Sequence, residues 1–244
     1  MKTNRLFIAF VLIGALLLSS CNAALRVGAL QTESKSVKLG DAKSVNVDIN
    51  FGAGVLAVTG DGEDLLDADF TYNVAKLKPQ VEYTDGTLSV TQPETNGMPI
   101  LAGITDVRNE WGIHLSNEVP MELSVEVGAG TSNLKLSDLS LSGLDITLGA
   151  TEGTIDLSGD WAHDLDITID AGASNITVIL PKDVGVRVVV DRGPTVIGTM
   201  GLMQDGDVYT NAAYGESGVT LHVDLKTGIG LVNLDVVEAA ASSD

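Results

Sequence analysis

Cysteine is nearly absent from this 244-residue chain. The single thiol, Cys21, has no partner for an internal disulfide, so nothing covalent braces the fold. Histidine is scarce as well: His114, His163 and His222 stand far apart, and none has the His-x-x-x-His spacing of a hydrolytic metal site. No Gly-x-Ser-x-Gly elbow is present to expose a serine nucleophile, so the sequence offers no catalytic constellation and calls for no cofactor. Positive charge is sparse, with 14 Lys and Arg against 33 Asp and Glu and a net charge of −19. Such a chain repels phosphate backbones, which argues against nucleic acid as a partner. Helical periodicity is missing too, because apolar residues recur at a spacing of two almost throughout. Disorder is excluded by the 44% hydrophobic content and by that periodicity.

What is present begins at the N-terminus. Lys2 and Arg5 precede an uninterrupted apolar run from Leu6 to Leu18 and then small residues, the layout of a secretory signal peptide over 1–20. The run is shorter than the about 20 residues a transmembrane helix needs. Leu18-Ser19-Ser20 followed by Cys21 resembles the lipobox of bacterial lipoproteins. That resemblance implies cleavage before Cys21, acylation of its thiol and a membrane as partner through the lipid. Each buried methylene of the acyl chains contributes about 0.8 kcal/mol, which makes such an anchor stable. Loss of Lys2 and Arg5 with the signal leaves 12 basic residues against 33 acidic ones, a mature charge near −21. The expected order is a signal peptide at 1–20, a tether at 21–43, one domain at 44–237 and a frayed tail at 238–244.

The domain is repetitive. Four segments align without gaps: SVEVGAGTSNLKL from Ser124, DITLGATEGTIDL from Asp145, DITIDAGASNITV from Asp166 and RVVVDRGPTVIGT from Arg187, each 21 residues after the last. A fifth copy, HVDLKTGIGLVNL, starts at His222, one period plus a 14-residue insertion later. An outlying relative, DINFGAGVLAV, starts at Asp48 with a turn read as two residues shorter. Each copy reads as strand, small-residue turn, strand. Val125, Ile146, Ile167 and Val188 fall in one apolar column, and Leu134, Ile155 and Ile176 in another, so the columns predict a single apolar wall. Gly130, Gly172, Gly193 and Gly228 share a turn column, with Ala129, Ala150 and Ala171 beside it.

The pattern predicts an all-β fold, a β-solenoid whose rungs stack with a 21-residue period. The alternative is an antiparallel β-sandwich in which each copy is a hairpin. Upstream, VEYTDGTLSV is a hairpin with Asp85-Gly86 as its type I′ turn, and Pro93 to Asp106 reads as an excursion loop. Gly52-Ala53-Gly54 and Gly128-Ala129-Gly130 are turns rather than phosphate loops, since no helix follows either.

Asn109-Glu110-Trp111, Ile113-His114-Leu115 and Val119-Pro120-Met121-Glu122-Leu123, leading into the Gly-Ala-Gly copies, resemble the toast-rack family. The likeness spans roughly Val45 to Val237. That family is similar to the C-terminal domain of LiaF-like proteins of the response to cell-wall-active antibiotics, and more loosely to adhesin families with Gly-rich rungs. It implies an extracytoplasmic, envelope location and a role in cell-surface or cell-wall stress homeostasis. LiaF-like proteins carry transmembrane helices ahead of this domain; here the expected lipid anchor stands in their place.

Two sets of residues are candidates for binding. If successive copies stack, Asp145 lies above Asp166, and Asp170 above Asp191, about 4.8 Å apart. Carboxylates that close need a cation between them or a compensating neighbour such as Arg187, so these four are metal candidates; solvated turn aspartates are the plainer reading. Trp111 and Trp161 are the large aromatics; an exposed indole would suit a cell-wall glycan, a buried one would be packing. The expectation is a non-catalytic, membrane-anchored binding or scaffold module for an envelope protein or glycan. The alternatives are an adhesive surface protein with cation-bridged contacts and, less in keeping with the sequence, a glycan-active enzyme.

Overall fold

A computed structural model describes residues 27–93 and 106–238. Cys21, the signal peptide, most of the excursion loop and the tail from 239 lie outside the described residues. The described chain is all-β, with one short 3-10 turn at Ala75–Leu77 and no α-helix. In chain order the strands are β1 (Gln31–Val37), β2 (Val45–Thr59), β3 (Leu66–Tyr72), β4 (Gln80–Thr84), β5 (Thr87–Thr91), β6 (Asn109–Leu115), β7 (Met121–Lys135) and β8 (Leu141–Asp156). They continue as β9 (Leu165–Pro181), β10 (Gly185–Arg192), β11 (Thr195–Met200), β12 (Met203–Asp205), β13 (Val208–Thr210) and β14 (Thr220–Val237).

The copies from Ser124, Asp145, Asp166 and His222 each run as one long strand instead of two, while the copy from Arg187 is broken at Gly193-Pro194 into β10 and β11. The glycines at the middle of each long strand bend it without breaking it, and both halves turn alternate side chains to the same interior, so Val125, Val127 and Leu134 of β7 are all buried. Copies pair with other copies in parallel: β2 with β7, β7 with β8, β8 with β9, and β9 with β14. The hairpin arrangement behind the sandwich alternative is therefore not what the copies adopt. Fully burying a Val, Leu or Ile is worth about 1.5–3 kcal/mol, and the files of these residues supply the core.

Stacking does not follow chain order. The copy from His222 enters between its two predecessors, so β14 pairs with β9 on one side and with β10 on the other. The insertion, which contains β12 and β13, gives the chain the length to return. Between β8 and β9 the pairing is offset by 23 residues rather than 21: Leu144 faces Ile167 and Ile146 faces Ile169. Val125 and Ile146 thus share one file, while Ile167 and Val188 share the next file on the same wall, joined through Val223. A two-residue slip keeps every side chain on its own face, so the apolar pattern tolerates it and the sequence cannot disclose it. The slip also re-sorts the turn columns. Gly52, Gly128, Gly149, Gly172, Gly228 and Gly193 form one ladder, each close to the backbone of the one before. Gly130 stacks instead on Gly54, and Ala171 lies beside Leu148. The outlying copy needs no shorter turn, because β2 keeps one register with β7 from Val45↔Met121 to Val58↔Leu134.

The ends of the stack are irregular. The first half of β2 continues into β5 and β4, and the second half into β6, β3 and β1. β1 lies inside the expected tether; its sequence QTESKSV shows no alternation because the strand is mostly exposed at a sheet edge. The β4–β5 hairpin has positive φ at both Asp85 and Gly86, as the type I′ reading requires.

At the other end, the buried side chain of Asn211 ties down the turn before β10. Its Oδ1 accepts from Val186 N at 2.9 Å, and its Nδ2 donates to Val184 O at 2.7 Å and Pro181 O at 3.0 Å. Asn211→Leu is expected to cost about 2–4 kcal/mol, since it leaves buried backbone groups unpaired. A denaturant midpoint equal to that of the unaltered chain would contradict this.

Candidate binding face

The bend in each long strand divides the outer surface into two faces. On the first half, register brings Asn50, Glu126, Thr147, Asp170, Lys226 and Asp191 into one row, with Asn50 Nδ2 donating to Glu126 Oε2 at 3.1 Å. A neighbouring row holds Asp48, Ser124, Asp145, Thr168 and Asp224.

These rows correct the expected aspartate columns. Because β14 enters the stack, Lys226 stands between Asp170 and Asp191, and His222 stands between Asp166 and Arg187. Because of the two-residue slip, Asp145 faces Ser124 and Thr168, not Asp166. Neither pair is adjacent, so the close carboxylates that called for a cation do not exist. Among the described residues no three His, Cys, Asp or Glu side chains are grouped to hold a metal.

The tryptophans are interior. Trp111 is 2% exposed and Trp161 8%, which leaves neither indole open to stack on a sugar. Trp111 meets Phe51 and Phe70 edge-on at 5.0 and 5.3 Å, and its Nε1 donates to Asn109 Oδ1 at 3.0 Å. Asn109 Nδ2 in turn donates to Ala53 O at 2.7 Å and Gln92 Oε1 at 2.8 Å, while Gly52 N donates to Gln92 Oε1 at 3.1 Å. This buried polar knot fastens the bend of β2. Trp161 Nε1 donates to Leu157 O at 3.0 Å.

His114 stands beside Asp61 and Thr59, with Nδ1 2.8 Å from Asp61 Oδ1 and 2.9 Å from Thr59 Oγ1. The Thr59 hydroxyl also donates to Asp61. A hydroxyl–imidazole–carboxylate relay uses both ring nitrogens, whereas here both partners crowd the same one; the trio ties a surface turn to β6. Hydrogen bonds from Thr59 first and His114 second hold the Asp61 carboxyl below its usual range.

The second half of the stack carries a different surface. One row of small side chains, Ala57, Asn133, Thr154, Thr177, Asn233 and Gly198, runs across β2, β7, β8, β9, β14 and β11. Larger residues flank it, including Glu152, Asn175 and Leu231 on one side and Asp156, Ile179 and Asp235 on the other. The result is a trough across the strands, deepening to a depression of about 320 Å³ lined by Glu152, Thr154, Asn175, Thr177, Leu231 and Asn233. Its amides and hydroxyls both donate and accept, spaced by the strand separation of about 4.8 Å. No property of the sequence alone marks these residues, because only the register aligns them.

A charge cluster pins the outermost strand. Lys35 and Lys78 each reach a Glu33 carboxylate oxygen at 2.9 Å. Their hydrogen bonds lower the Glu33 pKa from 4.5 to about 2. A depressed carboxyl favours the folded chain above its ordinary pKa, and that contribution disappears as pH falls from 4.5 through about 2. Carboxyl carbon NMR should therefore find Glu33 ionised at pH 3.5, and Lys78→Met should move its midpoint up; a midpoint unmoved by that change would refute the pairing.

Comparison with known proteins adds context to this geometry. A crystal structure from Clostridium sporogenes, described as a "putative cell adhesion protein", superposes with a TM-score of 0.82 at 28% identity, over 86% of this chain and 100% of that one. Structures of a "putative adhesin" from Bacteroides fragilis and a "putative lipid binding protein" from Parabacteroides distasonis align at 11% and 12% identity with TM-scores of 0.31 and 0.26, each over 86% of this chain and 97% and 98% of theirs. No curated protein matches the sequence. Residues 26–179 match the N-terminal domain of toast_rack, DUF2154. The chain belongs to the toast_rack family.

Proposed function

We propose that this protein is a non-catalytic binding module of the bacterial cell surface, held to a membrane by lipid at Cys21, whose bent parallel strands are the rungs of a β-solenoid. The likeness over the whole length of the Clostridium sporogenes protein, together with its description as a "putative cell adhesion protein", carries this reading. The trough supports it. A shallow channel with rows of amide and hydroxyl groups and few apolar side chains, Leu231 among them, suits a neutral polyhydroxylated ligand such as an envelope glycan. A role in cell-wall stress homeostasis, as for LiaF-like proteins, is the corresponding cellular context.

Two measurements test it. Cys21→Ala should release the chain from the membrane fraction and abolish incorporation of labelled fatty acid; a variant that stays membrane-bound would remove the anchor from the proposal. The purified chain should sediment with isolated envelopes, and Thr154→Lys with Thr177→Lys should reduce the bound fraction at least about tenfold, the loss of about 1.4 kcal/mol. Equal binding by both forms would rule out the trough as the contact surface.

A further inference from the structure

Among the described residues the sheet has four terminal strands, and three are blunted. β4, β1 and β12 each join their neighbour antiparallel, and each carries charge: Glu82 on β4, Glu33 and Lys35 on β1, Asp205 on the three-residue β12. Charged side chains and short length are usual protections of a sheet edge. The fourth, β11, differs in both respects. It pairs in parallel with β14 and, among the described residues, with no other strand, and its sequence TVIGTM has no charge. Its outward residues Val196 and Met200 are 66% and 56% exposed, and beside them Ile229 and Leu231 of β14 are 65% and 39% exposed. A row of unsatisfied backbone groups next to an apolar strip is a template for another strand.

We propose that β11 is a self-association edge, at which two copies of this chain pair antiparallel about a two-fold axis midway between their Gly198 residues. The occupant follows from charge and from side-chain matching. At a net charge of −19 most surfaces of one copy repel another, and an uncharged edge is where two copies approach without that penalty. Antiparallel pairing centred on Gly198 sets Val196 opposite Met200 of the second copy and Ile197 opposite Thr199, with the residue lacking a side chain next to the axis. Outward residues then meet outward ones, and the exposed apolar strip of each copy continues into the other. Five β11 residues of each copy, Val196 to Met200, pair about this centre. They bury less than the about 1,200 Å² typical of stable complexes, so the dimer is weak in dilute solution and favoured where copies are concentrated on one surface. The edge meets the end of the trough at Gly198 and Leu231, but the pairing needs no ligand there, so association is read with no glycan present.

The test uses the full chain carrying Cys21→Ala, which removes any association through lipid. Sedimentation over a concentration series should show mass rising from monomer to dimer. Val196→Lys with Met200→Lys should weaken association at least about tenfold, without changing the melting transition, since both side chains are exposed. Ser34→Lys on the charged β1 edge should leave it intact. Gly198→Cys should form a disulfide-linked dimer on mild oxidation, because residues facing each other across a strand pair have Cα atoms about 4.5–5.5 Å apart, within disulfide range. The Cβ it adds meets only the tip of the Asn233 side chain, which can move. A monomer at every concentration, a dimer indifferent to the two lysines, or a Gly198→Cys chain that stays uncrosslinked would each overturn the proposal.

Discussion

Trp111→Ala is expected to lower unfolding free energy by about 3–5 kcal/mol, the cost of emptying the site of a fully buried large aromatic. The loss has three parts. The cavity forfeits the apolar contacts of the ring, the edge-on pairs with Phe51 and Phe70 disappear, and the Asn109 Oδ1 that accepts from the indole is left without that partner. Trp111→Phe should recover part of the packing but not the hydrogen bond, placing it between the two. Urea unfolding followed by far-ultraviolet circular dichroism gives the number, and a loss under about 1 kcal/mol would mean that the core around β2, β3 and β6 closes without the indole.

Gly130→Val should be comparably damaging, at about 3–5 kcal/mol, for an unrelated reason. Gly130 has φ of 118°, and a Cβ there would overlap the backbone of Gly54 on the adjacent strand. Holding a non-glycine residue in such a conformation costs about 1–3 kcal/mol, and forcing the strands apart costs about the same again. Because Gly54 itself lies against Asn109, the displaced backbone pushes on the polar knot behind it. Gly218→Ala is the matched control: nothing lies within 4 Å of its Cβ position, so its effect should stay within about 0.5 kcal/mol. Equal stability of the two variants would show that the contact of Gly130 with Gly54 tolerates a side chain.

The alternating columns, the glycine-marked bends and the Asp85-Gly86 turn were legible because each is a local signal repeated or sharply defined. The offset between β8 and β9 was not, since a slip of two leaves inward residues inward. The position of β14 was hidden for a related reason: equivalent copies offer equivalent neighbours, and only the space between β9 and β10 decides which is used. Both failures converge on the aspartates, whose spacing depended on neighbours the structure rearranges. β1 escaped notice because an exposed edge strand needs no apolar period. Gln92 and Asn109 flank a loop and look like ordinary polar residues until the bend of β2 is placed between them. The trough is a property of register, which one strand read alone does not contain.

The insertion of β14 also sets a timetable for folding. In chain order β14 follows the two strands between which it must lie, so the facing edges of β9 and β10 stay unpaired until β14 has emerged. β14 acts as a keystone. A product truncated before residue 220 would leave β9 and β10 as the two ends of an unfinished arch.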